Sequence, residues 1–275
     1  EIGSGLVGSE MCIRDRDKQR AFYGLDKPVP QQYLTYMNNL LHGDLGYSIK
    51  KTGKTVVDII KEAFPVSAKL GLISLLFAEA VGLFFGILCA QFRGKWPDYL
   101  LMVVAVLGIA LPSMVLGPIL RMIFGVKLGI LPVTGWGKPN QIILPALVLG
   151  LGTVAGNTRN MRASMLAITT QDYVKTARAK GLSPIRVVLK HQFKNSLVPI
   201  IPNLGVQIAG VLMGSFVVES MFLIPGLGRY FVDSVTNLDY PLIMGLTVFY
   251  GAFLVTMNLI VDVLYGLIDP RIRVK

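Results

Sequence analysis

The chain has 275 residues, 53% hydrophobic and 16% charged, with a net charge of +11 and a mean hydropathy of +0.59. A soluble domain carries about 25% charged residues, so this balance argues against a water-soluble protein and for one in contact with lipid. The basic residues fall between long apolar runs, which favours an anionic membrane surface over nucleic acid as the partner of that charge.

Other classes drop out on motifs. Cys12 and Cys89 form no disulfide framework, and His42 and His191 are too far apart in sequence to suggest a metal site. No G-x-x-x-x-G-K-[ST] phosphate loop occurs, so the chain is not expected to hydrolyse ATP by itself.

In chain order, residues 1–16 (EIGSGLVGSEMCIRDR) read as a foreign or mistranslated leader, the alternative being a genuine divergent terminus. Residues 17–65 are polar and mixed in charge. A bilayer core about 30 Å thick needs roughly 20 apolar residues as helix. Five segments qualify: Val66–Ala90, Tyr99–Phe124, Ile142–Thr158, Val198–Ile224 and Leu242–Leu264. Their prolines are compatible with membrane helices.

Orientation follows from the basic residues of the short loops. Arg93 and Lys95, eight Lys and Arg from Arg159 to Lys194, and Arg271, Arg273 and Lys275 lie on one side. Only Lys127, Lys138 and Arg229 lie in the alternate loops, so the richer side is cytoplasmic. Residues 17–65 are then extracellular, with no apolar run to carry them across. A preceding membrane helix is expected upstream, giving six spans in all. The resulting organisation is a leader over 1–16, an extracellular segment over 17–65, a membrane domain over 66–267 with a cytoplasmic loop over 159–197, and a cytoplasmic tail over 268–275.

That loop carries the most information. Thr169 or Thr170 is the expected N-cap of a short helix, with Asp172 in its first turn. Tyr173, Val174, Ala177 and Lys180 follow at helical spacing, and Gly181 is placed to end the helix. Ser183-Pro184 starts a second helix over about 184–195. Its predicted apolar stripe is Ile185, Leu189 and Phe193, beside a basic stripe of Arg186, Lys190 and Lys194. A loop this long and this punctuated is built for more than connection, and the small side chains of Ala177 and Ala179 would let another protein approach. The plainer reading is a solvated basic loop near anionic headgroups; the caps and the glycine stop weigh against it.

The stretch from Asp172 to Ser183 (DYVKTARAKGLS) resembles the EAA loop of ABC importer permeases, in the dipeptide/oligopeptide/nickel branch. Against the general form E-A-A-x₃-G-x₉-I-x-L-P, only Ala177 and Gly181 match; the remaining positions follow the peptide branch, with T-A-R-A-K-G and a later H-x-F-K-N. Further stretches resemble the same branch in order: 24–28 (GLDKP), 43–48 (GDLGYS), Leu128-Gly129 with Leu131-Pro132, Glu219 with 224–229 (IPGLGR), and Asp269-Pro270-Arg271.

The resemblance implies an all-α polytopic bundle of the type I importer permease kind, in a bacterial or archaeal plasma membrane. It implies that Asp172, Tyr173, Thr176, Ala177, Lys180, Gly181, Leu182 and Ser183 form a coupling helix and its stop. The implied partners are two cytoplasmic ATPase subunits, which bind the ATP, a second homologous permease subunit, and an extracellular binding protein. No cofactor is expected in this chain. Peptide is the implied solute, with nickel chelates or glutathione as alternatives.

Charges at membrane depth are costly and suggest function. Glu79 and Glu219 are the candidates for the solute path; Glu79 could attract an amino terminus, or pair with Asn, Ser or Arg on another helix. Arg121 and Asp262 also sit at depth, Asp262 near an interface. An ion-coupled carrier would more often show inverted repeats and several mid-membrane carboxylates, and an intramembrane enzyme would need a catalytic cluster. Neither pattern is evident.

Overall fold

Why each helix starts and stops where it does is largely a matter of prolines, glycines and short polar caps. In the computed structural model, residues 26–51, 53–212 and 215–268 are described. The leader 1–16, the stretch 17–25 and the terminal Asp269-Pro270-Arg271 motif lie outside them. Within the described residues the chain is helical, with one isolated antiparallel bridge between Tyr47 and Thr55.

Helix α1 (Val29–Leu41) has proline in its first turn and no buried residue. Helix α2 (Val56–Gln91) begins ten residues before the apolar run that predicted it. A reciprocal cap sets that start: the Thr55 hydroxyl accepts from Asp58 N, and Asp58 Oδ2 accepts from Thr55 N. At 36 residues it is about 54 Å long, far more than a bilayer core requires.

The second expected span, Tyr99–Phe124, is not one straight helix. It forms α3 (Trp96–Ala110) and α4 (Ser113–Leu120), the latter running on as a π-helix over Arg121–Lys127, with a 111° bend between the two. Pro112 is the cause. The ring of a proline disfavours helical geometry at the residue before it, and Leu111 is accordingly extended, at φ −91° and ψ 113°.

Helix α5 (Pro139–Thr169) contains the third expected span but continues past Thr158. That overhang adds about 16 Å of helix. Its far end leads into α6 (Asp172–Ala179) and then into three consecutive stretches, Pro184–Arg186, Val187–Phe193 and Lys194–Ser196, that form a single helix, α7, with a π-helical middle.

The fourth expected span, Val198–Ile224, is also interrupted. It forms α8 (Ile201–Leu212) and the short α9 (Phe216–Met221). Ser215 is extended and its hydroxyl accepts from Val218 N, which starts a new helix instead of prolonging the old one. Helices α10 (Leu227–Thr236) and α11 (Tyr240–Ile268) complete the chain.

By length and composition, three helices among the described residues can cross a membrane: Val56–Gln91, Pro139–Thr169 and Tyr240–Val261. The bent α3–α4 pair makes a fourth if it counts as one span. The five single-helix spans read from hydropathy are thus corrected at the second and fourth positions, where proline and a serine cap break the rod.

The centre of the bundle is α2 against α5. An added Cβ at Gly82 would lie 2.7 Å from Asn157 Cβ, and one at Gly86 would lie 2.8 Å from Thr158 O and collide with Met161 Cβ. These two glycines, four apart on one face, let the backbones approach as small residues do in membrane bundles. Ser74 Oγ adds a hydrogen bond to Ala146 O at 3.1 Å. Below them Ala90, Met161, Met165 and Ile200 form a buried cluster; at the other end Val56, Ile59, Ile60, Ala63, Leu227, Leu242, Leu246 and Tyr250 form another.

The segment before α2 is tied to α11 by Asp239, which is 1% exposed. Its carboxylate accepts from the Ser48 hydroxyl, from Ile49 N at 3.1 Å and from Lys50 N at 3.3 Å, and from Leu242 N in the first turn of α11. Lys51 Nζ lies 3.6 Å from the centroid of the Tyr230 ring, a favourable placement for a cation.

Gly86→Leu tests the α2–α5 contact. Forcing a side chain into this seam should cost about 1–3 kcal/mol, read as a fall in the melting temperature of the purified protein in detergent. The exposed Phe84→Leu exchange on the same helix serves as the unaffected control.

Candidate functional site

Helix α6 begins without a side-chain cap. Its N-cap is Gln171, extended at φ −70° and ψ 148°. The expected capping threonines point elsewhere: Thr169 Oγ1 donates to Met165 O and Thr170 Oγ1 to Ala167 O, each back along α5. Asp172 does sit in the first turn, where the helix dipole favours a carboxylate. Its ion pair with Lys175 is fully on the surface, with side chains 97% and 65% exposed, and contributes little stability.

The end of α6 follows the reading of Gly181 closely. Gly181 has φ +73°, a left-handed conformation that glycine adopts without a Cβ penalty. Gly181 N donates to Arg178 O at 2.9 Å and Leu182 N to Ala177 O at 3.4 Å. These are the two bonds of a Schellman stop, completed by the packing of Leu182 in the cluster that holds Ala177.

The helix has two distinct faces. Val174 and Ala177 are 0% and 4% exposed and pack on Val187, with Ile168 and Leu182 at the margin. Ala177 therefore faces into the protein, a correction to the idea that its small side chain admits a partner. A glutamate there would unseat the loop rather than roughen its outer surface. Tyr173, Thr176, Ala179, Lys180, Gly181 and Ser183, with Asp172, are all exposed.

Helix α7 departs from its predicted stripe. Ser183 is the N-cap residue but makes no side-chain cap bond, and Pro184 opens the helix as expected. Ile185 and Leu189 are 73% and 59% exposed, whereas Val187, Gln192 and Ser196 are buried. The π-helical stretch explains the difference. Its i→i+5 bonding widens the turn, so the buried positions step by five from 187 to 192 before the ordinary spacing of four returns at 196. Phe193 alone of the predicted stripe packs inward, against Ala90, Met161, Met165 and Ile200.

Gln192 fastens this helix to both long rods. Its Oε1 accepts from Gln91 Nε2 at the end of α2, and its Nε2 donates to Thr169 Oγ1 at the end of α5. Ser164 Oγ donates to Ser196 O at 2.8 Å. A second fastening joins α3 to α5: Arg162 donates from Nε to Asp98 Oδ1 at 2.7 Å and from NH2 to Asp98 Oδ2 at 2.8 Å. Asp98 is 2% exposed and also accepts from Gly94 N. In the sequence Arg162 reads only as one more basic residue of the loop; nothing in its neighbours announces a bidentate partner 64 positions away.

The two carboxylates at depth have different surroundings. Glu79 Oε1 accepts from Asn157 Nδ2 at 2.6 Å, and Asn157 Oδ1 accepts from Gln207 Nε2 at 3.0 Å. The anticipated pairing with an asparagine on another helix is present, as part of a chain across α2, α5 and α8. Glu219 is 0% exposed. Its Oε2 accepts from Gly228 N at 2.8 Å and Arg229 N at 3.3 Å, the amides of the second and third residues of α10. Glu219 is thus a remote N-cap for a helix whose own N-cap, Gly226, has no side chain, and it does not line an open path here.

This also accounts for the Pro-Gly-Leu-Gly sequence. A Cβ at Gly226 would sit 2.5 Å from Ser67 Oγ and against the Glu219 carboxylate, and one at Gly228 would sit 3.0 Å from Glu219 Oε2. The glycines are the cradle of the carboxylate as well as a turn. Arg121, the other deep charge, donates to Met221 O at 2.9 Å and lies over the Phe222 ring, tying the π-helical end of α4 to α9. The side chain of Asp262 lies outside the described residues.

Glu219→Ala should leave two enclosed amides without an acceptor. Each such loss costs about 1–3 kcal/mol, so a clear drop in thermal stability in detergent is expected. A melting temperature equal to that of the unmodified protein would contradict the capping role.

Comparison with known proteins places these features. The profile of the family described as "Binding-protein-dependent transport system inner membrane component" matches residues 82–274. The dipeptide transport system permease protein of Bacillus subtilis is 44% identical over 253 residues, covering 92% of this chain and 82% of the relative. The oligopeptide transport system permease protein of Haemophilus influenzae is 43% identical over 255 residues, covering 92% and 83%. A glutathione transport system permease protein of Escherichia coli is 42% identical over 270 residues, covering 98% and 88%. Among solved structures, an inward-facing MetNI methionine ABC transporter matches with a TM-score of 0.64 at 15% identity, over 77% of this chain and 96% of that one. An amino acid ABC transporter matches with a TM-score of 0.58 at 16% identity, over 76% and 94%. The fold is that of an ABC importer's membrane subunit, and the chain belongs to the family of binding-protein-dependent transport system inner membrane components.

Proposed function

We propose that this chain forms half of the translocation path of an ATP-driven peptide importer in a bacterial or archaeal plasma membrane. The observation that carries the reading is the two-faced α6. Its inner face is fixed by Val174, Ala177 and the Gly181 stop, while Tyr173, Thr176 and Lys180 are presented outward. A helix held this way transmits a push without folding away, which is what coupling to a separate motor demands.

In this reading α6 seats in a cytoplasmic ATPase subunit. Two such subunits bind the ATP, so this chain holds no cofactor, and a second homologous permease subunit supplies the other half of the path. Closure of the ATPases on ATP draws the two coupling helices together and shifts the bundle between inward- and outward-facing states. Each state is favoured only by as much as the partners bind it more tightly. An extracellular binding protein delivers the solute.

Peptide is the solute class favoured by the dipeptide and oligopeptide relatives. Glutathione, itself a small peptide, is the second reading, because its permease aligns with 98% of this chain at 42% identity.

Tyr173→Ala and Lys180→Glu, on the outward face of α6, test the docking. Each should weaken retention of the ATPase subunits by about tenfold or more, equivalent to about 1.4 kcal/mol, with the melting temperature of the permease unchanged. Undiminished co-purification and ATP-driven uptake in both variants would sink the assignment.

A further inference from the structure

The hydrogen-bond chain at membrane depth ends in two atoms that have nothing to bind. Glu79 Oε1 takes one N–H of Asn157, and Asn157 Oδ1 takes one N–H of Gln207. Glu79 Oε2 and Gln207 Oε1 are both enclosed and have no hydrogen-bond partner.

The direction of this chain is dictated by Glu79. When ionised, a carboxylate only accepts, and Asn157 turns its amide nitrogen toward it. That leaves the Asn157 oxygen facing Gln207, which must then turn its own nitrogen inward and leave its oxygen free. Asn157 has little freedom to do otherwise, being 1% exposed and in contact with the backbone of α2 at Gly82. The network therefore terminates in an oxygen at both ends, one of them on a carboxyl group.

Enclosed acceptors are normally paired. What complements the open carboxylate oxygen is a group that brings N–H donors and positive charge. An anion is repelled by Glu79, and a hard metal ion would find too few oxygens. A primary ammonium group, with three donors and no acceptor, has the matching chemistry.

The location is a second, independent pointer. Gln207 lies on α8, the helix that leaves the α6–α7 loop, and α8 ends at Leu212, beyond which Ser215 caps a new helix. Interrupted helices near mid-bilayer are where transporters place solute sites, because backbone irregularity is tolerated only where it borders a cavity or protein.

The geometry points to the open oxygen of Glu79 as the membrane-depth acceptor for the cationic amino group of the transported solute, with Asn157 positioning Glu79 and Gln207 holding Asn157. The assignment rests on the peptide-importer reading, since a peptide supplies such a group as its α-ammonium.

The test uses the complete transporter, with its second permease, ATPases and binding protein, reconstituted in vesicles and supplied with a radiolabelled tripeptide bearing a free amino terminus. Glu79→Gln keeps an oxygen for Asn157 and removes the charge, so a purely structural role survives it. Glu79→Ala removes both. The expected result is a tenfold or greater loss of uptake in Glu79→Gln, with the melting temperature of the complex and ATP hydrolysis stimulated by loaded binding protein retained. Normal uptake in Glu79→Gln with loss only in Glu79→Ala would overturn the site in favour of a structural cross-link. Loss of uptake accompanied by loss of stability or of stimulated hydrolysis in Glu79→Gln would overturn it as well. If the unmodified complex takes up no peptide, the peptide reading itself fails and this inference falls with it.

Discussion

The close approach of α2 and α5 is the constraint on which the rest of the structure depends. Burial of apolar surface gives little drive for helix association inside a bilayer, so contact has to come from shape and from polar groups. Gly82 and Gly86 supply the shape by letting Asn157 and Met161 pack directly onto the backbone of α2. Once α2 and α5 are joined, α5 serves as the common support. Asp98 and Arg162 hang α3 on it, Asn157 reaches through it to α8, and its far end carries the α6–α7 loop.

The polar groups of the bundle divide by what they join. Asp239, Glu219 and Asp98 are each at most 2% exposed, and each takes up backbone amides or a guanidinium at a helix start. Glu219 stands in for the side-chain cap that Gly226 cannot give, Asp239 caps α11 directly, and Asp239 and Asp98 link segments far apart in sequence. Glu79 differs from them in its surroundings. Glu219 also keeps one enclosed oxygen without a partner, but Glu79 takes no backbone amide, is only half-buried, and bonds to side chains alone.

Much of this was legible in the sequence, and the parts that were not share a cause. Local chemistry was readable: Gly181 ends α6, Pro184 opens α7, and Asp172 lies in a first turn, because each acts through its own backbone. Hydropathy marked where chain enters lipid but not where a helix bends. Pro112 was visible, yet its tolerance in membrane helices hid the 111° turn it makes. The buried positions of α7 are not legible in a pattern of four because a π-helical turn leaves no mark in it, and Ile185 and Leu189 face outward. Glu219 looks, in one dimension, like an isolated deep charge because the amides it accepts from lie nine and ten residues on. The Gly82–Gly86 spacing is a packing signal in the sequence, but the other glycines of the run do not distinguish it.

The unbroken length of α5 has a mechanical meaning. Its 31 residues make a rod of about 46 Å, gripped near its middle by α2 at Gly82 and Gly86 and bearing α6 at one tip. Such a rod is a lever with its fulcrum inside the membrane. A tilt of about 10° displaces one tip relative to the other by roughly 8 Å, more than one helical turn. Because the Gln192 and Ser164 bonds weld the loop to the rod, little of that travel is lost as slack. The asparagine that reaches toward Glu79 and Gln207 sits beside the fulcrum, where angular change is felt with the least translation.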